Sequence, residues 1–559
     1  MTIRVKQFRD VIHGNIIIPE LLVDTVVDRS IFQRMRWINQ TSATYFVYPS
    51  LQGSRFQHSL GAAHVIGLAL DYLVTNTELH TEKRFNPDEL HDLCFLLRAI
   101  RPWAQFGALT HDIGHNAFSH VFEESVHDLV YVLGQEVKGF KESGQKLHED
   151  YTGIITSAML GDESICTALR ELFLKTTDAL GISPREGSPA ERILEFIKKC
   201  TKEELGRLVW HTVRNPRGSI IEIPKKLEDR KVRDLIENTN TIVCSLLSGP
   251  LDVDRADYIL RDAYLSGMNV HFDLDRYAAV LVLIKGSDGK VRVGVLEKGV
   301  SLLESFMIAR FHMHREVYGH KLSMVYNGIL RRIMTLLMAK TAGDFKIDLP
   351  PLDMPLIVDR AGQQPTLDDI EPYFLKLTDV QILHRITEMY RSGVPNPLGI
   401  LVKAFVERKH YRPEEANVPP KGIFLRYDTK RMVSGATSNY FEEYEEKVDQ
   451  VMCPPKYIRV SEEREVLHCA KHKQDLIYWK HMFGTSSSDI SQVPVYQKSG
   501  MVVKVDHITG LLPLLEASRS VSILLLVAKY APSANFKPTD ESWIAKLVET
   551  MTSITAGAA

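Results

Sequence analysis

Apolar residues recur at three- and four-residue intervals through most of this chain, and that pattern predicts a mainly α fold. From Ser59 onward, Leu60, Ala63, Gly67, Leu70 and Val74 share one helical face, which places His58 at the head of a packed helix. Asp88–Ile100 repeats the pattern with Asp88 as N-cap, and Pro102 restarts the chain into an apolar helix, Trp103–Asp112. Most of 120–270 reads as helix, broken by a polar loop near Gly181–Pro189, and a long helix follows over Leu302–Lys340. Strand-like stretches are short. Ile16–Ile18 precedes an amphipathic helix through Phe32–Trp37. Val280–Ile284 and Val291–Val295 flank Gly286-Ser287-Asp288-Gly289 and predict a hairpin within Tyr277–Glu297. Val493–Gln497 and Met501–Val505, around Lys498-Ser499-Gly500, predict a second.

The proline-rich segment Asp348–Pro355 is the clearest boundary. It divides a helical core with small β-hairpins, residues 1–345, from an α+β C-terminal region, 346–559, expected to serve accessory or oligomerisation roles. A chain of 559 residues exceeds one ordinary core, so two or three domains are expected. A net charge of −2 offers no general polycation for a nucleic-acid backbone, although local basic pockets stay open. The N-terminus lacks the apolar core of a signal peptide, and the apolar run Ile523–Ala528 is far short of a membrane span. Six cysteines without paired spacing read as reduced thiols, so a cytoplasmic location is expected. The apolar stretch Leu511–Ala528 is expected to be core or a subunit contact.

Chemistry concentrates in Leu109–His120, LTHDIGHNAFSH. An adjacent His111–Asp112 pair sits where an apolar helix ends at Gly114, and His115 and His120 follow. Imidazole and carboxylate side by side suit a divalent metal, and further histidines suit proton transfer near neutral pH. His58 in RFQHSLG and Asp254 in LDVDRADY could complete the set. Two imidazoles and two carboxylates suit Fe, Mn, Zn or Mg, with positions left for water or a phosphate oxygen. A bare His-Asp pair means little, and His91–Asp92 reads as ordinary helix surface. His468, Cys469 and His472, with Cys453 as the nearest fourth ligand, lack the C-x-x-C spacing of a zinc knuckle. No glycine-rich phosphate loop is present, so polyphosphate would fall to arginine, lysine and metal.

Several blocks in one order carry a resemblance: IHGNI with FQRMRWINQ, YPSLQGSRFQHSLG, LTHDIGHNAFSH, LDVDRADYILRDAYLSGM and, more loosely, MHREVYGHK. From about Lys6 to Lys340 the chain resembles the HD-domain phosphohydrolases, and more narrowly the deoxynucleoside triphosphate triphosphohydrolases, including the animal enzyme that adds a sterile-alpha-motif domain. The resemblance implies metal ligation by His58, His111, Asp112 and Asp254. It places His115, His120 and His148 around the scissile phosphorus, with His120 as general acid and Glu123, where the animal enzyme has Asp, orienting it. Arg55, Arg255 (a lysine in relatives), Arg310 and Lys321 match or extend the set that grips the triphosphate. Gln40, Tyr258, Asp262 and Tyr318 match positions around the deoxyribose. Lys6, Asp28, Gln33 and Arg36 match a site for an activating guanine nucleotide, GTP or dGTP, between subunits of a homo-oligomer, dimer or tetramer. Asn116-Ala117, Ala256 and Gly319 depart from the family pattern and leave base preference open.

The implied reaction is hydrolysis of a dNTP to deoxynucleoside and inorganic triphosphate. Two alternatives stay open: an HD-type hydrolase of another phosphoester (nucleoside monophosphate, cyclic nucleotide or nucleic-acid end), or a catalytically silent protein that senses nucleotides or binds nucleic acid.

Overall fold

The computed structural model describes residues 3–131, 134–140, 146–181, 183–214, 223–339, 345–354, 365–395, 398–408, 490 and 492–509, with the strands Gly422–Asp428, Leu476–Phe483 and Ser520–Val527. Counting helices of eight residues or more among these, the first ten are α1 Arg55–Asn76, α2 Pro87–Ala99, α3 Arg101–Thr110, α4 His120–Tyr131, α5 Leu147–Gly161, α6 Glu163–Leu180, α7 Pro189–Lys199, α8 Lys202–Val213, α9 Arg230–Ser248 and α10 Val253–Ser266. Then come α11 Val300–His312, α12 Lys321–Met338, α13 Leu367–Phe374, α14 Asp379–Ser392 and α15 Leu398–Val406. The fold is mainly α with small β elements, as the periodicity predicts. No helix among the described residues is long and apolar enough to cross a membrane.

Helix α1 is the axis of the core, buried along nearly its whole length, as an apolar pattern without a polar face requires. It starts in a capping box: Ser54 Oγ accepts from the Gln57 amide, 3.4 Å, and Gln57 Oε1 accepts from the Ser54 amide, 3.1 Å. Gly61 is what allows α10 to lie against it, because a Cβ there would meet Asp257 Oδ1 at 1.9 Å. On another side α1 packs on α3.

Three small sheets decorate the helices. Strands β1 Val5–Asp10 and β2 Gly14–Pro19 form an N-terminal hairpin, Asp10 opposite Gly14. Both predicted hairpins are present, β3 Leu281–Lys285 with β4 Val291–Leu296, and β7 Pro494–Tyr496 with β8 Val502–Lys504. They share one sheet, β3-β4-β7-β8, where β4 and β7 run parallel with Val295 opposite Val495. The third sheet places β9 Ser520–Val527 between β5 Gly422–Asp428 and β6 Leu476–Phe483, antiparallel to both. The rest of the apolar stretch from Leu511, and the His468, Cys469, His472 and Cys453 group, lie outside the described residues.

Four expectations are corrected. Phe32–Trp37 is not one helix but two short turns, Ser30–Gln33 and Arg34–Trp37, whose tightening turns Arg34 inward. The N-cap of α2 is Asn86, whose side chain accepts from the Asp88 amide at 2.9 Å, because Pro87 takes the first helical position. Leu302–Lys340 is interrupted by a wide π-type turn, Met313–Tyr318, before His320 caps α12. In the His91–Asp92 pair, Asp92 is buried and faces Arg185 at 3.7 Å. Cys94, Cys166, Cys200 and Cys244 are buried free thiols, as expected.

Candidate functional site

Helix α3 ends at Thr110, so His111 and Asp112 stand in the turn just past it. His111 Nδ1 bonds the Ala108 carbonyl at 2.7 Å, which leaves its Nε2 facing α1. There it meets His58 Nε2 at 3.2 Å. Asp254, in the first turn of α10, brings Oδ1 to 2.9 Å from His58 Nε2 and 3.6 Å from His111 Nε2. Asp112 Oδ2 is 3.5 Å from both imidazole nitrogens. Donor atoms from α1 and the 111–112 turn therefore lie close enough to share one cation, and Asp254 on α10 stands against the two imidazoles. Burial alone would depress the His58 imidazole, but Asp254 and Asp257 outweigh it and hold it at about 10. Burial works to raise Asp112, yet Arg55, His111 and His115 hold that carboxyl well below the usual range. His58, His111 and Asp112 form a tight nest of nitrogen and carboxylate donors, the kind of set a divalent cation fits.

Asp257 belongs to this centre and was not singled out in the sequence. Its Oδ2 bonds His58 Nδ1 at 2.8 Å, so Nε2 is the nitrogen turned to the cluster. His13 Nε2 lies 2.6 Å from its Oδ1, and Arg261 donates to both oxygens at 3.0 and 2.8 Å while also reaching Asp10 Oδ2 at 2.7 Å. The available signal was spacing: Asp254 and Asp257 in LDVDRADY stand three apart, on one face of a helix.

A second cluster adjoins the first through Asp112, whose Oδ1 is 3.5 Å from His115 Nε2. The His115 and His148 rings stack with centroids 4.2 Å apart, and His120 stands edge-on to His115 at 5.0 Å. Glu123 is the hinge: one oxygen bonds His120 Nδ1 at 2.9 Å, the other bonds His148 Nδ1 and accepts from the His148 amide at 2.7 Å. Burial, reinforced by Arg55 and His148, holds His115 well below its ordinary value and therefore neutral. For His148 burial is outweighed by the Glu123 carboxylate, and its value rises. His120 is the open member, its side chain 59% exposed. Gly114 is not the helix terminator. It is where α5 passes, and a Cβ there would sit 2.2 Å from the His148 carbonyl oxygen and the Thr152 amide nitrogen.

The residues expected to grip phosphates are mostly engaged with protein. Arg55 donates to Asp112 Oδ2 and, through Nε, to Ser119 Oγ at 3.0 Å. Arg255 pairs with Asp252 Oδ2 at 3.0 Å and donates to the Gly249 carbonyl at 2.8 Å. Arg310 is buried beside Tyr258. Lys321 opens α12, and its side chain lies outside the described ones. The Tyr258 ring stands 6.3 Å from His58 on one side and 6.3 Å from Tyr318 on the other, and Tyr318 donates to Asp262 Oδ2 at 2.7 Å. Burial raises the Asp262 carboxyl to about 6. Its Oδ1, like Gln40 Oε1, is buried without a hydrogen-bond partner among the described residues.

The four N-terminal candidates lie in neighbouring segments. Lys6 on β1 bonds Asp24 and stands 3.8 Å from Asp28. Gln33 donates to the Val27 carbonyl at 2.7 Å and accepts from Arg36 Nε at 2.7 Å. The Arg36 guanidinium lies over the Phe56 ring, 3.6 Å from its centroid.

No family model matches the chain. Curated relatives do. The deoxynucleoside triphosphate triphosphohydrolase SAMHD1 of Xenopus laevis is 27% identical over 406 residues, 72% of this chain and 55% of that protein. The chain resembles the HD-domain phosphohydrolases. Human SAMHD1, of the same description, is 25% identical over 335 residues, 58% of this chain and 43% of the relative. An uncharacterized Bacillus subtilis protein, YwfO, is 26% identical over 331 residues, 59% of this chain and 55% of that one. The chain thus spans about half the length of these relatives. A solved phosphohydrolase from Bacteroides thetaiotaomicron shares the fold, with a TM-score of 0.52 at 18% identity over 94% of this chain and 100% of that one.

Proposed function

We propose that this protein is a metal-dependent HD-type hydrolase that converts deoxynucleoside triphosphates to deoxynucleoside and inorganic triphosphate. The observation that carries the reading is the approach of His58, His111, Asp112 and Asp254 to one another beside a second cluster, where Glu123 bonds His120 and His148 and His148 stacks on His115. The four would hold the cation, and their mixed nitrogen and oxygen character accommodates Fe, Mn, Zn or Mg. When bound, the cation supplies Lewis-acid charge to a phosphoryl group.

The chain's own groups then divide the work. Glu123 occupies His120 Nδ1, so the exposed ring keeps Nε2 for a proton delivered to the departing 5′-oxygen. His148, its protonated form sustained by Glu123, and neutral His115 border the same space. Arg55, Arg255, Arg310 and Lys321 would carry phosphate charge, and Gln40 and Asp262 have unspent acceptor oxygens for a sugar hydroxyl. The Tyr258 and Tyr318 rings would pack the deoxyribose. Lys6, Asp28, Gln33 and Arg36 would receive GTP or dGTP as activator, completed by a second copy of the chain in a dimer or tetramer.

A second reading, an HD-type phosphohydrolase of a smaller phosphoester, draws on the engagement of Arg55 and Arg255 with Asp112 and Asp252. One experiment separates them. Purified protein is incubated with each dNTP and with Mn, Mg, Zn or Fe, with and without GTP, and the products are resolved by anion exchange. Intact triphosphate appearing in step with deoxynucleoside is expected. Release of orthophosphate or pyrophosphate, or turnover confined to monophosphates, rejects the triphosphohydrolase reading.

A further inference from the structure

The turn that delivers His120 is unusual, because Phe118 and Ser119 both hold left-handed backbone, φ 59° and 52°, without being glycine. Ser42, packed against them, does the same at φ 56° and donates its hydroxyl to the Phe118 carbonyl at 2.6 Å. Such a conformation persists only where surrounding contacts enforce it. The enforcing group comes from the far side of the proline-rich segment. Asp379, the first residue of α14, sends a buried carboxylate between two loops. Its Oδ1 accepts the Phe118 amide at 2.6 Å and its Oδ2 accepts the Asn39 amide at 2.9 Å.

From there the contacts lead straight to the site. Ser119 Oγ donates to the Asn39 carbonyl at 2.7 Å and accepts from Arg55 Nε at 3.0 Å, and Arg55 reaches Asp112. We propose that Asp379 is a positioning residue, which fixes the Phe118–Ser119 turn and thereby aims His120 and Arg55. The proposal rests on the hydrolase reading above for its catalytic consequence, not for its geometry.

Cost supports it. Burial raises the Asp379 carboxyl to about 7, and the two amides and Arg55 only partly oppose it, so ionising it in the folded chain costs stability. An apolar residue would pack more cheaply but would strand the Phe118 and Asn39 amides.

The test uses the full chain with Asp379→Asn and Asp379→Ala. Asparagine keeps one acceptor oxygen and alanine none. kcat is expected to fall roughly 10-fold for Asn and up to roughly 100-fold for Ala, the scale of a small misplacement of a catalytic group. KM should rise as Arg55 loosens, and bound metal per chain should stay at the wild-type value. Amide hydrogen exchange should quicken at both Phe118 and Asn39 in the alanine variant and at one of the two in the asparagine variant. A lowered melting temperature with unchanged kcat per folded chain, or unchanged exchange at those amides, overturns the proposal. If alanine does not fold, the asparagine variant decides alone. A wild-type chain that turns over no phosphoester sinks the hydrolase reading, and the exchange measurement still judges the prop.

Discussion

Asp257 works from behind His58. Its 2.8 Å bond to Nδ1 fixes which nitrogen is offered to a cation and, with Asp254, keeps a proton on the ring up to about pH 10 when no cation competes. Because the folded value is raised, a cation must displace that proton at any lower pH, so its apparent affinity should climb with pH by up to about tenfold per unit and level off toward 10. In Asp257→Asn the ring loses one partner that raises it. The plateau should arrive at lower pH, and affinity on the plateau should weaken by roughly 10- to 100-fold. Calorimetric metal titration at several pH values checks both; equal affinity on the plateau in variant and wild type refutes the orienting role. His58, His111, Asp112 and Asp254 could be picked from the sequence because ligands are chosen by side-chain chemistry and stand in compact blocks. Asp257 and Asp379 escaped because a carboxylate's task is set by what faces it. Asp379 faces amides contributed by segments around residues 39 and 118.

Among elements, helix periodicity was legible wherever burial was one-sided, and both central hairpins announced themselves through turn chemistry. What was hidden were breaks made by tertiary demand. The interruption at Met313–Tyr318 interrupts an apolar pattern that runs on, yet it presents Tyr318 to Asp262. Gly114 looked like a stop signal, whereas its use is to admit α5, with the Gly114 amide donating to Thr152 Oγ1 at 2.9 Å. Gly114→Ala should therefore destabilise by about 1–3 kcal/mol in denaturant titration, the cost of an overpacked contact. It should also lower turnover, since the displaced helix carries His148. A variant as stable as wild type would mean that α5 yields without strain.

For the whole molecule, the sheet β3-β4-β7-β8 stitches residues near 290 to residues near 500. Val495 is fully buried in that seam. Val495→Asp should cost on the order of 3 kcal/mol or more by stranding a polar group there. Scanning calorimetry should show the main transition moving down as one; a shift confined to a minor peak would show that the two halves melt independently. Sequence periodicity finds the hairpins but not their parallel partnership, because register between distant strands leaves no local trace. That seam has a practical consequence for anyone dissecting the protein. A fragment stopping near residue 345 would bare the Val295–Leu296 end of the strand Val291–Leu296. Its orphaned amides and carbonyls would offer a sticky template to neighbouring fragments, so clumping during expression would say nothing about the chemistry of the helical half.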